Sequence, residues 1–237
     1  MFLDVRTPAP GVRALLLDRP AARNALTLAT VRALEAAVDE VGADPSVRAV
    51  VLGSSTAGSF CAGADLSVTD AERAELSDRL YQLYAALILL PVPVIAAVDG
   101  AAVGGGAQFV LAADVRLGSA RARIRFVGPG HGLAVGLWAL PAAVGRGRAF
   151  EAVLSQRFIA AEEAAGIGLL DRIVADPYAE ALALGTAIGE LDRAAVHRAK
   201  LLIVDGERLV QRLAQERAGN AAVFTGRVQR RPDRDDV

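Results

Sequence analysis

The chain contains few of the residues that form disulfides and metal sites. Among 237 residues there are one cysteine and two histidines. The single cysteine, Cys61, excludes an internal disulfide, which is typical of a reducing compartment. We expect its side chain to be a small buried hydrophobe rather than a nucleophile. The sequence also lacks an H-E-x-x-H motif, a Cys/His cluster and a G-x-x-x-x-G-K-[ST] loop, so neither metal nor P-loop chemistry is predicted.

Long hydrophobic runs and an excess of either charge are also missing. The longest apolar run, residues 83–98, is shorter than the roughly 20 residues of a membrane span and contains Pro91 and Pro93. The first ten residues, MFLDVRTPAP, lack the basic start and apolar centre of a signal peptide. The 26 basic and 27 acidic residues give a net charge of -1. We therefore expect a cytoplasmic protein without a membrane span and without nucleic acid as a partner.

The hydrophobic content, 53%, is high enough for a sizeable core in one large domain or one domain with an appendage. Apolar periodicity predicts strands that alternate with helices, which indicates an α/β fold with a parallel sheet. The predicted strands are residues 12–17, 47–52, 93–98, 115–118 and 124–126. The predicted helices are residues 28–41, capped by Thr27 and stopped by Gly42, residues 71–90, a helix opened by the glycines at 104–106, residues 146–154, and a helical pattern after Tyr178.

Two short glycine-bearing runs organise the sequence. One is residues 60–66, FCAGADL, and the other is residues 98–109, VDGAAVGGGAQF. Each follows a strand-like run and leads into a helix-like run, and backbone N–H groups at a helix start can bind a negative oxygen. Glycine also lets a ligand approach the backbone closely. Two such donors aimed at one point form an oxyanion hole, although a lone run of glycines more often indicates tight helix–strand packing. Asp65, in the first run, is predicted to cap the following helix.

Taken together and in this order, the two runs resemble the crotonase (enoyl-CoA hydratase/isomerase) family, and the resemblance covers most of the chain. Residues 19–26, RPAARNAL, match the family's RPxxxNAL segment, and residues 155–164 resemble its stretch tG-x-x-i-x-A-x-x-A. The segment GLAVGLWALPAAVGRGRA is similar to that of actinobacterial members that lack the catalytic glutamates.

The resemblance implies a crotonase spiral of ββα units in residues 1–190, followed by a C-terminal helical trimerisation region in residues 191–237. No internal repeat is visible in the sequence itself. The expected assembly is a homotrimer or hexamer. The expected ligand is an acyl-CoA thioester, with no further cofactor.

The resemblance also implies which residues form the site. The backbone N–H groups of Ala64 and Gly105 would hold the thioester carbonyl as it becomes an enolate. Arg23 would contact a CoA phosphate or remain a solvated loop charge, two alternatives of equal weight. The residues expected to contact the substrate are Ala22, Arg23, Ala62, Asp65, Leu66, Gly104, Pro129 and Leu133. The shortened C-terminus offers Arg230 and Arg231 as further phosphate contacts.

The two glutamates that hydratases of this family use as acid and base are missing here. Their positions correspond to Gln108 and Gly130. An amide can orient a water molecule but does not take up its proton, and glycine offers only backbone. Each acid or base contributes about 10²–10⁴ in rate, so we expect weak or no 2-enoyl-CoA hydration. An intact oxyanion hole, worth about 10²–10³ per donor, would still favour binding of an enolate-like thioester.

Three hypotheses remain open at this stage. The first is a non-hydrating acyl-CoA binder. The second is an active enzyme that uses another residue such as His131, since an unperturbed histidine titrates near pH ~6.5 and can act as acid or base. An ordinary loop histidine, hydrogen-bonded to backbone or solvent, is the favoured interpretation of this residue. The third is a structural subunit, which the retained oxyanion run disfavours. Leu133, Val135, Leu137 and Trp138 form either an acyl-chain tunnel or part of the core.

Overall fold

A computed structural model describes residues 2–224, apart from the side chain of Asp70, and it confirms the α/β fold. The described residues form ten strands and nine α-helices. The strands are β1 (Leu3–Ala9), β2 (Val12–Leu17), β3 (Ala49–Ser54), β4 (Ser59–Cys61), β5 (Val94–Val98), β6 (Ala101–Val103), β7 (Val115–Gly118), β8 (Arg123–Arg125), β9 (Ile159–Ala160) and β10 (Arg172–Ile173). The helices are α1 (Leu28–Ala43), α2 (Asp70–Leu89), α3 (Gly105–Ala112), α4 (Leu140–Val144), α5 (Arg146–Ser155), α6 (Ala161–Gly166), α7 (Pro177–Gly189), α8 (Arg193–Gly206) and α9 (Leu209–Phe224).

The larger sheet has six strands in the order β1-β2-β3-β5-β7-β10. Strands β1 and β2 pair antiparallel, and the remaining pairs are parallel. All five residues of β5 and the first five of β3 are buried, which explains why these strands appear in the sequence as nearly continuous apolar runs. Strands β2 and β7 have the predicted bounds, and β3 begins two residues later than predicted.

A second sheet of four short strands, in the order β4-β6-β8-β9, lies beside the first. The chain passes repeatedly from a longer strand of the first sheet to a short strand of the second and then to a helix or helical turn. This path is followed by β3-β4-α2, by β5-β6-α3, and by β7-β8 with the turn Gly128–His131. Each passage is one ββα turn of the expected spiral, and the second sheet carries both glycine runs next to each other.

Two predicted helix boundaries are wrong. Gly42 lies inside α1, which continues to Ala43, where the N–H of Asp44 bonds to the carbonyls of Glu40 and Val41. Asp65 does not cap a helix, because four residues of turn separate it from α2. Thr69 and Glu72 instead cap α2 with a reciprocal capping box.

The last two helices are tied back to the core. Lys200 of α8 is buried, and its ammonium group donates to the carbonyls of Leu87 and Val92 and to Asp114 at 2.8 Å. Helix α9 packs along α2. The division at residue 190 stays a prediction, and Arg230 and Arg231 lie outside the described residues. No helix within residues 2–224 is both long and apolar enough to cross a membrane.

Candidate functional site

The two glycine runs lie against each other in the folded chain. Strand β4 pairs with β6 in parallel, and a Cβ at Gly106 would lie 2.4 Å from the carbonyl oxygen of Cys61. A Cβ at Gly63, whose φ is +88°, would lie 2.7 Å from the Val103 carbonyl oxygen and 3.5 Å from the Gly105 nitrogen. Glycine at 63 and 106 therefore permits the backbone contact that brings the two runs together.

The backbone N–H groups of Ala64 and Gly105 remain available for a ligand. A parallel bridge joins Leu26 to Ala64 through the bonds Leu26 N–H to Gly63 O and Asp65 N–H to Leu26 O, so the N–H of Ala64 points away from Leu26. Gly105 is the first residue of α3, where an N–H has no partner within the helix. Within residues 2–224 neither N–H donates to a backbone carbonyl. Ala64 is exposed, and Gly105 is half-buried.

The predicted CoA-contacting turn is fastened to the first run by Asn24, a residue that the motif contains but to which we assigned no role. Asn24 is buried and left-handed, with φ +59°. Its amide donates to the carbonyl of Phe60 at 3.0 Å and to the Ser54 hydroxyl at 2.7 Å, and its oxygen accepts from the Arg19 N–H at 2.8 Å. An asparagine tolerates this backbone conformation better than most residues.

An ion pair joins the predicted CoA-contacting turn to the first glycine run. Asp65 pairs with Arg19 at 2.7 Å and accepts from the backbone and hydroxyl of Ser67. The Ser67 hydroxyl, and then Arg19, lower the pKa of the Asp65 carboxyl to about 2. The exposed Arg23 has no ion-pair partner among the described residues, which is compatible with either alternative for it.

The other residues predicted to contact substrate differ in their exposure. Gly104 is buried where β6 meets α3, and its N–H donates to the Arg125 carbonyl. His131 lies half-buried in the turn that follows β8. Among the rest, Ala62, Leu66 and Pro129 are exposed, and Ala22 and Leu133 are half-buried.

Neutral groups occupy positions 108 and 130, whose match to the two glutamates of the family pattern stays a prediction. Gln108 is buried on α3, and its amide oxygen accepts from the indole N–H of Trp138 at 3.0 Å. Gly130 is exposed in the turn Gly128–His131, and a Cβ there would lie 2.6 Å from the amide oxygen of Gln156. Sequence reasoning did not single out Gln156.

The buried carboxyl of Glu216, on α9, lies close to Gln108, and both of its oxygens accept hydrogen bonds from the protein. Glu216 of α9 accepts from the hydroxyl of Tyr81 at 2.7 Å and from the backbone N–H groups of Gly136 at 2.8 Å and Trp138 at 2.9 Å. Burial raises the pKa of Glu216 above its ordinary value. The carboxyl therefore anchors residues 136–138, the loop that places Trp138 against Gln108.

Asn220 extends this cluster by one turn of α9. It accepts from the Ala134 N–H at 2.9 Å and donates to the Tyr81 hydroxyl at 2.7 Å. Burial raises the pKa of Tyr81 well above its ordinary value. The sequence signal for this cluster was an apolar stripe on α9, Leu209 and Leu213, that continues at helical spacing into Glu216 and Asn220.

Two further sequence interpretations can be compared with the structure. Cys61 is fully buried, and burial raises the pKa of its thiol to about 12, so it is the small core residue that was predicted. Trp138 is 1% exposed and belongs to the core, whereas an acyl-chain tunnel beside it stays a prediction.

Two cavities of the described residues lie away from the predicted oxyanion donors. A cavity of about 340 Å³ lies at Ser54 and Asp176, and one of about 350 Å³ lies between Leu111 and Val204. Neither is lined by Ala64 or Gly105. Among residues 2–224 no group of three or more His, Cys, Asp or Glu side chains could hold a metal ion.

The spiral fold with two paired glycine runs defines a member of the crotonase superfamily. A sequence model of the family described as enoyl-CoA hydratase/isomerase matches residues 8–231, and the chain belongs to this family. The chain is 39% identical over 203 residues to the probable enoyl-CoA hydratase echA6 of Mycobacterium tuberculosis, across 84% of this chain and 81% of that protein. It is 33% identical over 230 residues to the human mitochondrial methylglutaconyl-CoA hydratase, across 88% of this chain and 66% of that protein.

Solved structures agree with the sequence comparison. An enoyl-CoA hydratase/isomerase from Mycobacterium paratuberculosis superposes with a TM-score of 0.87 at 27% identity, across 97% of this chain and 96% of that one. A monofunctional enoyl-CoA isomerase from M. smegmatis gives a TM-score of 0.77 at 31% identity, across 87% of this chain and 94% of that one.

Proposed function

We propose that this chain binds acyl-CoA thioesters through the N–H groups of Ala64 and Gly105 and hydrates 2-enoyl-CoA weakly or not at all. The observation that carries the proposal is the hydrogen bond between the Gln108 amide oxygen and the Trp138 indole. It fixes a neutral amide where hydration needs an acid or base. The ligand is the thioester itself, with no further cofactor.

The binding half of the proposal is supported by the arrangement of the two runs. A Cβ at Gly63 would lie 3.5 Å from the Gly105 nitrogen, and the N–H groups of Ala64 and Gly105 have no backbone acceptors in the described chain. A thioester carbonyl that gains negative charge would accept from both amides, and such preorganised donors stabilise a developing oxyanion. The exposed Arg23 is then in a position to meet a CoA phosphate.

The non-hydrating half is supported by how the nearby acid is used. Proton transfer requires a carboxyl within hydrogen-bond reach of the reacting atoms, and each bond that the carboxyl accepts from the protein makes it less available for that role. Both oxygens of Glu216 accept from donors of this chain, namely Tyr81, Gly136 and Trp138. Glu216 therefore holds the loop around Trp138 and does not take the place of a catalytic glutamate.

The alternative function is an active hydratase or isomerase that uses His131. It is favoured by the position of His131 directly after Gly130, half-buried in the same turn. The names of the relatives, which include both hydratases and an isomerase, also support this alternative. We further propose that the protein is cytoplasmic and assembles as a homotrimer or hexamer, as the family resemblance implies.

The test of the function combines turnover with binding. Purified protein is mixed with a short and a long 2-enoyl-CoA, and loss of the enone absorbance is followed. We expect little or no turnover, and heat of binding when saturated acyl-CoA is titrated by calorimetry. Turnover at the rate of ordinary hydratases would contradict the proposal, and absence of heat at every chain length would favour a structural subunit.

The variant His131→Ala separates the two candidate functions. If residual turnover depends on His131 as acid or base, we expect a loss of about 10²-fold or more. An unchanged residual rate would exclude the alternative. Because His131 neighbours the ligand surface, affinity for saturated acyl-CoA is measured on the same variant, so that a binding defect is not mistaken for a catalytic one.

A further inference from the structure

Gln156 combines a strained backbone with a side chain directed at the candidate site. It ends α5 in the left-handed conformation, with φ +52° and ψ +25°. Glycine usually occupies this position of a helix, and a residue with a Cβ adopts the conformation at a cost in free energy. The matching stretch of the family pattern, tG, has glycine where this chain has Gln156.

The side chain of Gln156 occupies the space that Gly130 leaves vacant. A Cβ at Gly130 would lie 2.6 Å from the Gln156 amide oxygen and 3.6 Å from its amide nitrogen. The two positions are therefore related by an exchange. The site loop has no side chain at 130, and the end of α5 carries one at 156 that fills the volume a side chain at 130 would need.

The backbone carbonyl of Gln156 has a hydrogen-bond partner in the described chain, whereas its side-chain amide has none. Its carbonyl accepts from the guanidinium of Arg125, which lies 5.3 Å from the ring centroid of Phe158. In the described chain the amide oxygen and nitrogen of Gln156 have no hydrogen-bond partner. The half-buried amide therefore keeps a donor and an acceptor for a ligand.

The site loop connects Gly130 to the predicted oxyanion donors. Gly104, directly before Gly105, donates its N–H to the Arg125 carbonyl, and a Cβ at Gly104 would lie 3.3 Å from the side chain of Val127. The loop that carries Gly130 starts at Val127. The resemblance implies that position 130 faces the bound acyl group, so the Gln156 amide, which lies beside Gly130, would face that group as well.

We infer that Gln156 is a ligand-contacting residue, whose amide takes the place of the missing side chain at 130 and selects acyl thioesters with a hydrogen-bonding oxygen on the β carbon. This inference rests on the proposed function. An amide keeps one protonation state near neutrality, so it contributes recognition rather than proton transfer. A 3-hydroxyacyl thioester can both donate to its oxygen and accept from its nitrogen, whereas a saturated chain can do neither.

The ligand test compares 3-hydroxydecanoyl-CoA with decanoyl-CoA by calorimetry. In Gln156→Gly we expect affinity for the hydroxylated thioester to fall about three- to tenfold, the effect of one hydrogen bond, and affinity for the saturated one to stay within about twofold. We expect the melting temperature not to fall, because glycine relieves the left-handed backbone. The matched control is Gln211→Ala, which removes an exposed glutamine of α9 and should change neither affinity. Equal losses for both thioesters, or no loss for either, would overturn the assignment.

A second test needs no ligand and therefore separates this inference from the proposed function. Gly130→Ala is made in the wild-type chain and in Gln156→Gly, and thermal unfolding is measured for all four proteins. If the two side chains share one space, Gly130→Ala lowers the melting temperature by about 2 °C more in the wild-type chain. If Gly130→Ala changes the melting temperature equally in both backgrounds, the two side chains do not share one space, and the assignment is overturned. If wild type binds neither thioester, the proposed function and the ligand contact fail together, while this cycle still decides whether Gln156 occupies the space at 130.

Discussion

At the scale of single residues, the proposed loss of acid–base groups leaves the packing at Gln108 intact. Gln108 has nearly the size of a glutamate and accepts the Trp138 indole bond that a carboxylate could also accept. An isosteric change of this kind removes a proton-transfer group with little effect on the core. Gly130 differs, because there the lost volume is filled by a side chain from another element.

Glu216 provides the sharpest residue-scale prediction. Because burial raises its folded pKa above the ordinary 4.5, its contribution to stability is fully present below the unfolded pKa and is lost as the pH rises through the folded pKa. Glu216→Gln would place an amide N–H against a backbone N–H donor, and we expect the free energy of unfolding to fall by about 1–3 kcal/mol. Since glutamine does not titrate, this loss should shrink as the pH rises above about 4.5.

The measurement is urea unfolding of wild type and Glu216→Gln at a series of pH values. Glu190→Gln, at the exposed end of α7, controls for the removal of one negative charge. A difference in unfolding free energy that widens with rising pH would contradict the raised folded pKa. A difference that is absent at every pH would contradict the bonds to Gly136 and Trp138.

At the scale of elements, the site is formed by the close approach of β4 and β6. Here glycine is needed because backbone meets backbone, and neither partner can move away as a flexible side chain could. A Cβ at Gly106 would meet the Cys61 carbonyl oxygen at 2.4 Å, and a Cβ at Gly105 would meet only side-chain atoms at 3.1 Å or more. The two glycines should therefore differ in how well they tolerate alanine.

We predict that Gly106→Ala destabilises the protein by about 2–3 kcal/mol, as overpacking of a rigid site does. Gly147→Ala is the matched control, because Gly147 lies on α5 with no atom within 4 Å of the added Cβ, and alanine there should be neutral or stabilise by up to about 1 kcal/mol. Chemical denaturation of the wild type and both variants gives the change in unfolding free energy for each. Equal stabilities would show that the first turn of α3 can move away from β4 without cost.

Elements with a strong apolar pattern were predictable from the sequence, and the shortest strands of the second sheet were not. Helix α1 was located from Thr27 and its apolar stripe, and β7 from four residues with the right bounds. The three-residue strands β4 and β6 carry too few side chains to show a period of two. The ββα repeat was therefore invisible in the sequence, although both glycine runs that it positions were identified.

At the scale of the whole molecule, sequence reasoning missed the contacts between distant segments. Gly136 and Glu216 are separated by 80 residues, and Gly130 and Gln156 belong to different elements. No local pattern tells which loop the polar end of an apolar stripe will contact. The resemblance supplied the positions of the site residues, and only the folded chain shows which side chains surround them.

The assembly is the prediction that belongs to the whole molecule. Leu202 and Ile203 on α8 are 75% and 62% exposed, and Leu154 on α5 is 70% exposed. Apolar side chains this exposed favour burial between copies of a chain. We expect sedimentation velocity to give the mass of three or six chains, and the double variant Leu202→Asp and Ile203→Asp to sediment as a monomer, because buried unpaired charges oppose association. Gln215→Asp, on the exposed face of α9, controls for added charge and should leave the mass unchanged. A wild-type mass of one chain would contradict the trimer, and an intact oligomer of the double variant would place the interface on another face.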